Sequence, residues 1–149
     1  MSTIKKINKF SGKYSFLSNF YPCIVEYEGK LYPSAEHAFQ AAKTLDPEIR
    51  AEFAVFPAPA DAKYFGRKIH LRDDWEDVKD DIMLKILESK FTRTQEFGPD
   101  LKALLLNTGD AELEEGNNHG DKYWGTVKGV GKNMLGISLM KIRNKIKPA

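Results

Sequence analysis

Residues 33–43 read Pro-Ser-Ala-Glu-His-Ala-Phe-Gln-Ala-Ala-Lys, and this stretch decides the fold. Ser34 is a preferred helix N-cap, and Pro33 before it closes whatever precedes. Glu36 falls in the first turn, where a carboxylate suits the positive end of the helix dipole. The spacing predicts a helix over 35–45, with Ala38, Ala41 and Ala42 allowing close packing. On that helix Glu36, Gln40 and Lys43 stand at i, i+4 and i+7, so a carboxylate, an amide and an amine share one face. Alanine and phenylalanine fill the other side and read as core. The polar stripe is either a pocket lining or a solvated face with a Glu–Gln contact, and pattern alone leaves both open. It is not HExxH, because Ala41 stands four residues after His37.

Working outward, Cys23, Val25 and Tyr27 alternate with Ile24 and Glu26, and Glu28-Gly29 offers a turn before Leu31 and Tyr32. That pattern predicts a short hairpin, with Cys23 a small buried hydrophobe. Downstream, Asp46-Pro47 restarts a helix, Val55-Phe56-Pro57-Ala58-Pro59 interrupts it, and a short helix over 60–65 ends near Gly66. Trp75, Val78, Ile82, Met83, Ile86, Leu87 and Phe91 keep an apolar face at helical spacing, with Asp73 or Asp74 as cap. Residues 99–107 and 133–146 form two further helices, with Gly109 just past the first. Helices outnumber strands and do not alternate with them, so the fold class is α+β: a helix-rich domain with a small N-terminal β-hairpin or sheet.

The chain has 149 residues, enough for one domain and too few for two independent cores. Lys and Arg exceed Asp and Glu by 23 to 21, and the interspersed charges do not resemble a long nucleic-acid footprint. A single cysteine excludes a disulfide framework and a cysteine-rich zinc site. His70 and His119 have no partner at metal-ligand spacing. No apolar run approaches the ~20 residues of a membrane span, and no signal-peptide core opens the chain. Composition therefore predicts a cytoplasmic, membrane-free single domain over 1–149, with neither metal nor cofactor.

Residues 110–132 are polar and glycine-rich, yet carry Tyr123-Trp124. Glu114-Glu115, Asn117, Asn118, Asp121 and Trp124 are what a sugar or base pocket uses: carboxylates for hydroxyls or water, an aromatic face for a ring. An ordinary surface loop anchored by Trp124 is the alternative. Gly129-Val130-Gly131-Lys132-Asn133 lacks GxxxxGK[ST], although glycines leading into a helix N-terminus leave N–H groups for an anion. Trp75 reads first as core.

In this order the segments resemble one known family. Leu17-Ser18-Asn19-Phe20-Tyr21-Pro22 looks like its SNF-P motif, and Ser34–Lys43 like its SEH-FQ--K helix. Gly66-Arg67 and Arg72-Asp73-Asp74-Trp75 resemble its central section. Leu104–Gly109, Leu113-Glu114-Glu115, Asp121–Gly125 and Gly131–Gly136 complete the series over roughly residues 10–146. The chain is thus similar to the NADAR (NAD- and ADP-ribose-associated) superfamily, YbiA-like branch. The resemblance implies N-glycosidic bond hydrolysis, on phosphorylated ribosylamino intermediates of riboflavin biosynthesis or on ADP-ribose attached to guanine, the latter extending to ADP-ribosylated nucleic acid. By matched position it makes Glu36, Lys43, Asp121, Trp124, Glu115 and Trp75 catalytic. Asn19, Phe20, His37, Gln40, Arg67 and Asn133 become substrate contacts, and Glu114 competes with Glu115. Motifs spread from Asn19 to Asn133 would then have to converge on one site.

The residue types suit that chemistry. Cleaving a ribosyl C–N bond develops positive charge on the sugar and negative charge on the departing nitrogen. A carboxylate stabilises the cation or deprotonates water, and a lysine amine could form a Schiff base with an opened ribose. The competing class is a non-catalytic ADP-ribose or nucleotide-binding module, which requires no paired Glu36 and Lys43. A nucleic-acid-linked substrate would need only a local basic patch, for which Arg67, Lys68 and Arg72 are candidates.

Overall fold

The computed structural model describes residues 4–149. In chain order the elements are β1 (Lys6–Ile7), the 3-10 helix η1 (Gly12–Leu17), β2 (Val25–Tyr27), β3 (Lys30–Tyr32), α1 (Ala35–Ala41), α2 (Pro47–Ala54), α3 (Pro59–Gly66), α4 (Trp75–Thr92), α5 (Leu101–Leu106), β4 (Glu112–Leu113) and α6 (Met134–Ile146). Helices dominate over short strands, as expected. These elements fall into two compact units, Asn19–Gly98 and a second made of Pro99–Ala149 with the segment ending at Ser18. Among the described residues no helix is long and apolar enough to cross a membrane.

In the unit Asn19–Gly98, β2 and β3 pair antiparallel with Val25 opposite Tyr32 and Tyr27 opposite Lys30. Glu28 and Gly29 both have positive φ, 47° and 84°. Such a two-residue turn matches the right-handed twist of the strands it joins. Val25, Tyr27 and Tyr32 point inward while Leu31 stays half exposed, because the period of two puts it on the outer face with Glu26. The strand begins at Val25, so Cys23 lies just before it, its N–H bonded to Pro33 O.

Helix α1 is four residues shorter than its sequence suggests. Lys43 N–H donates to Gln40 O and Thr44 N–H to Ala41 O, a tightened last turn. Pro47 holds Asp46 in an extended conformation, so the helix cannot run on. The freed carbonyls find Arg72: its backbone N–H donates to Lys43 O (2.8 Å) and its guanidinium to Ala42 O (3.3 Å). The Arg72 fork also grips Asp74 at 2.6 and 3.1 Å. That corrects two expectations. Asp74 occupies the N-cap position of α4 without capping it, and Arg72 spends its charge inside the fold rather than offering it to a phosphate.

Helix α4 turns Trp75, Ile82, Met83, Ile86, Leu87 and Phe91 inward, as its periodicity requires. The same face buries Lys90 completely, with its ammonium 5.1 Å from the Phe91 ring centre and 5.8 Å from that of Tyr21. Burial pushes the Lys90 amine down to about 8, with Cys23 acting weakly the other way. Unfolded, the same amine stays protonated to its ordinary value of 10.5. Between those values the unfolded chain binds more protons, so stability rises with pH from about 8 to 10.5 by roughly 3 kcal/mol. Chemical denaturation across that window is expected to show the rise, and Lys90→Met to abolish it while stabilising the protein at pH 7.

In the other unit β1 pairs parallel with β4, Lys6 opposite Glu112 and Ile7 opposite Leu113. Helix α5 is shorter at both ends than expected and is capped by Asp100, whose Oδ1 accepts from Ala103 N–H. Helix α6 begins one residue after Asn133, which sits in the left-handed region at φ 54°. Its side chain does not cap α6. Instead Asn133 Nδ2–H donates to Leu113 O and its Oδ1 accepts from Glu115 N–H, so one amide extends β4 as an extra strand would.

Candidate active site

Within Asn19–Gly98 the candidate residues gather around α1. Ser34 caps the helix by accepting from His37 N–H (3.1 Å) and lies 2.7 Å from His37 Nδ1. His37 Nε2 is 2.9 Å from Phe56 O. A carbonyl only accepts, so the proton is on Nε2, and Nδ1 takes the Ser34 hydroxyl proton. Burial lowers the ring's pKa and keeps this neutral tautomer. The resemblance makes His37 a substrate contact. The fold uses both of its nitrogens, so its work is to fasten α1 to the segment before α3.

Glu36 is 8% exposed, and its Oε2 accepts from Gln40 Nε2–H at 2.7 Å. Its backbone N–H donates to Asn19 O at 3.0 Å, which brings the Asn19 side chain to the start of α1. Asn19 Nδ2–H faces Met83 Sδ, and Asn19 Oδ1 is buried with no hydrogen-bond partner. A buried acceptor without a donor is uncommon and suits a site that takes one from a ligand. The Lys43 amine is lowered first by burial; Glu36 raises it, and Arg67 and Lys63 lower it further. Glu36 and Lys43 are therefore electrostatic neighbours although Lys43 lies beyond the end of α1. Phe20 is partly exposed beneath the Lys63 ammonium, and Arg67 is exposed at the end of α3. Trp75 is buried and tilted against Phe39 at 5.1 Å, the packing role its position first suggested.

In the other unit one loop organises the remaining candidates. Asn117 Oδ1 accepts from His119 N–H and Asp121 N–H, while its Nδ2 donates to Asp121 O (2.9 Å) and Glu115 Oε2 (3.0 Å). Asp121 Oδ1 in turn accepts from Tyr123 N–H (3.0 Å) and Trp124 N–H (2.9 Å). Trp124 stands edge-on to Tyr123, and its carbonyl accepts from Leu135 N–H. A Cβ on Gly125 would overlap the Glu115 carboxylate, so only glycine lets the loop close there. Glu115, Asn117, Asp121, Trp124 and Asn133 thus form one bonded set.

Glu114 and Glu115 separate cleanly. Glu114 is buried, paired with Lys6 Nζ at 2.9 Å and accepting from the Thr126 hydroxyl. Those two bonds hold its carboxyl below the usual range. Glu115 turns its carboxylate to Asn117 instead. Both line a cleft of about 710 Å³ together with Lys6, Asn8 and Asn117. That is a usual volume for a small-molecule site.

The anion-cradle reading of residues 129–133 fails. Lys132, Asn133, Met134 and Leu135 N–H donate to the carbonyls of Lys122, Gly125, Tyr123 and Trp124, so the start of α6 is satisfied by its own loop. Two residues carry more than their sequence pattern distinguishes: Asn117, which the pattern ranks no higher than Asn118 yet which ties the loop together, and Gly66, whose place at a helix end hides its contact with Gln40.

A family model described as the NADAR domain matches residues 7–147. The chain belongs to the NADAR family. An N-glycosidase YbiA of Escherichia coli (strain K12) is 40% identical over 147 residues, covering 97% of this chain and 89% of that protein. The N-glycosidase of Nostoc punctiforme is 33% identical over 90% of this chain and 86% of its own length. The solved NMR structure of the E. coli protein YbiA superposes with a TM-score of 0.83 at 38% identity, covering 98% of this chain and 87% of that one. The NADAR fold and its YbiA-like form are therefore those the residue motifs implied.

Proposed function

We propose that this chain is an N-glycosidase that hydrolyses the bond between a ribosyl C1 and a departing nitrogen, with Glu36 and Lys43 carrying the chemistry. N-glycosidase-type function follows from the kinship with proteins that bear that name. The ribosyl substrate goes beyond that kinship. It rests on one observation, the buried Glu36 carboxylate in electrostatic contact with the Lys43 amine that burial has lowered. A binding module needs no such pair, since an amine whose pKa burial lowers serves a nucleophile better than a charged contact.

Glu36 accepts and returns protons, Lys43 attacks C1 as the neutral amine, and Asn19 Oδ1 accepts from a substrate hydroxyl or amine. Asp121 shapes the turn that presents Trp124, and Glu115, held by Asn117 and Gly125, faces the polar cleft of its unit. Asn133 positions Glu115 through its backbone rather than touching substrate. The family resemblance offers two substrate classes: a small phosphorylated ribosylamino compound and an ADP-ribosylated guanine, free or in nucleic acid.

Incubation with each class, followed by mass spectrometry of the released base and ribose fragment, tests the proposal. Release from at least one is expected. Binding of both without release from either would replace it with the binding-module reading. Arg67→Glu with Lys68→Glu is expected to weaken turnover of a guanine in nucleic acid more than that of the free nucleotide, because both cations are exposed.

A further inference from the structure

We infer that Gln40 is a positioning residue that aims the Glu36 carboxylate, and that Gly66 is the stop that holds Gln40 in place. The inference rests on the proposed catalytic role of Glu36.

Gln40 and Glu36 are one helical turn apart on α1 and both nearly buried, at 6% and 8% exposure. Gln40 Nε2–H donates to Glu36 Oε2 at 2.7 Å, a short bond of the kind a charged acceptor gives. The other end of the same amide is unusual. Gln40 Oε1 is buried and accepts no hydrogen bond. It abuts Gly66 so closely that a Cβ there would overlap Oε1 and stand 2.7 Å from Gln40 Cδ. Gly66 is the last residue of α3 and has no positive φ, so its backbone conformation does not call for glycine. Glycine inside a helix destabilises it, and a buried unpaired amide oxygen does so as well. Two unfavourable features therefore meet at one contact.

Both are explained by the far end of the Gln40 side chain. Turning the amide over would set Oε1 against the Glu36 carboxylate, so its orientation is fixed by Glu36. Withdrawing it would release Glu36, and the Gly66 backbone, against which the amide oxygen abuts, blocks that movement from below. An apolar residue at 40 would pack as well and remove the unpaired oxygen, but would take from the buried Glu36 oxygen the donor it now has. The amide is thus a rigid link from the end of α3 to the catalytic carboxylate. Gln40 is then not the substrate contact that family resemblance makes it.

Gln40→Met keeps the volume and removes the donor. Its kcat is expected to fall about 10- to 100-fold with KM within about threefold, while thermal stability changes little, because the loss of the unpaired Gln40 oxygen offsets the donor taken from Glu36. A purely structural role would move stability and leave kcat alone. Gly66→Ala is expected to lower kcat similarly, and to add less than about twofold in a Gln40→Ala background, where the space is vacant. A crystal structure of Gln40→Met is expected to show the Glu36 carboxylate swung from its place. If Glu36→Gln abolishes turnover yet Gln40→Met keeps full kcat, or if Glu36 stays put in that crystal, the inference falls. Should Glu36→Gln itself retain activity, the catalytic reading falls, and the crystal still decides whether Gln40 aims the side chain.

Discussion

Glu36→Gln is expected to reduce kcat by ~10²–10⁴-fold, the usual worth of a positioned acid–base group, with little change in stability. The substitution is nearly isosteric, and the Gln40 amide still finds an oxygen to donate to. What disappears is the charge and the ability to move a proton. Glu36 is 8% exposed and begins α1, its backbone tied to Asn19 O and the helix cap closed by Ser34. The carboxylate therefore sits at a fixed point, and in the proposed reaction its low exposure would strengthen its effect on a developing sugar cation. Single-turnover measurement with the responsive substrate separates this loss from product release. A loss below tenfold would move Glu36 out of the chemistry and leave a binding role. By contrast Glu114→Gln is a change of fold support, since the single uncharged amide oxygen cannot replace both the Lys6 ion pair and the Thr126 bond.

How much of this was legible in the sequence depends on the range of the interaction. Helix α1 announced itself through Ser34 and Glu36, and α4 through seven apolar residues at helical spacing, because caps and periodicity are local. The hairpin turn was equally local, two residues at positive φ. Strands β1 and β4 were not legible: two residues each carry no period, and their pairing joins Lys6 to Glu112 across the chain. The end of α1 was misjudged for a like reason. Alanines favour continuation, and only Arg72, nearly thirty residues on, shows where the last carbonyls go. Family motifs set Glu36, Lys43, Asp121, Trp124, Glu115 and Trp75 apart from the substrate contacts, but say nothing of what each side chain touches. In the structure His37, Trp75 and Asn133 each make contacts within the fold, while Asn19 Oδ1 is buried without a hydrogen-bond partner.

Lys43→Ala is expected to abolish a covalent intermediate as well as turnover, and that makes it the more informative change. In an opened ribosylamine the Lys43 nitrogen adds to C1, the departing amine leaves with a proton, and a protonated imine joins Nζ to the sugar. Water then adds to C1, the C–Nζ bond breaks, and ribose is released with Lys43 regenerated; Glu36 takes the proton at addition and returns it. Only the neutral amine can begin this sequence. Burial lowers the Lys43 pKa and Arg67 and Lys63 lower it further, against the opposing pull of Glu36, so the neutral fraction at a given pH exceeds that of an exposed lysine. Activity should accordingly rise with pH on a limb whose midpoint lies below 10.5. Arg67→Met, which removes one of the two cations, is expected to move that limb upward. Borohydride added during turnover should attach a ribosyl fragment at residue 43 in the wild type and none in Lys43→Ala. A wild-type protein that turns over without any adduct would assign the attack to water activated by Glu36, with Lys43 reduced to stabilising charge on the departing group. Loss of the adduct together with a kcat fall of at least ~10³-fold would instead place the amine on the reaction path, as expected of a nucleophile rather than of a neighbouring charge.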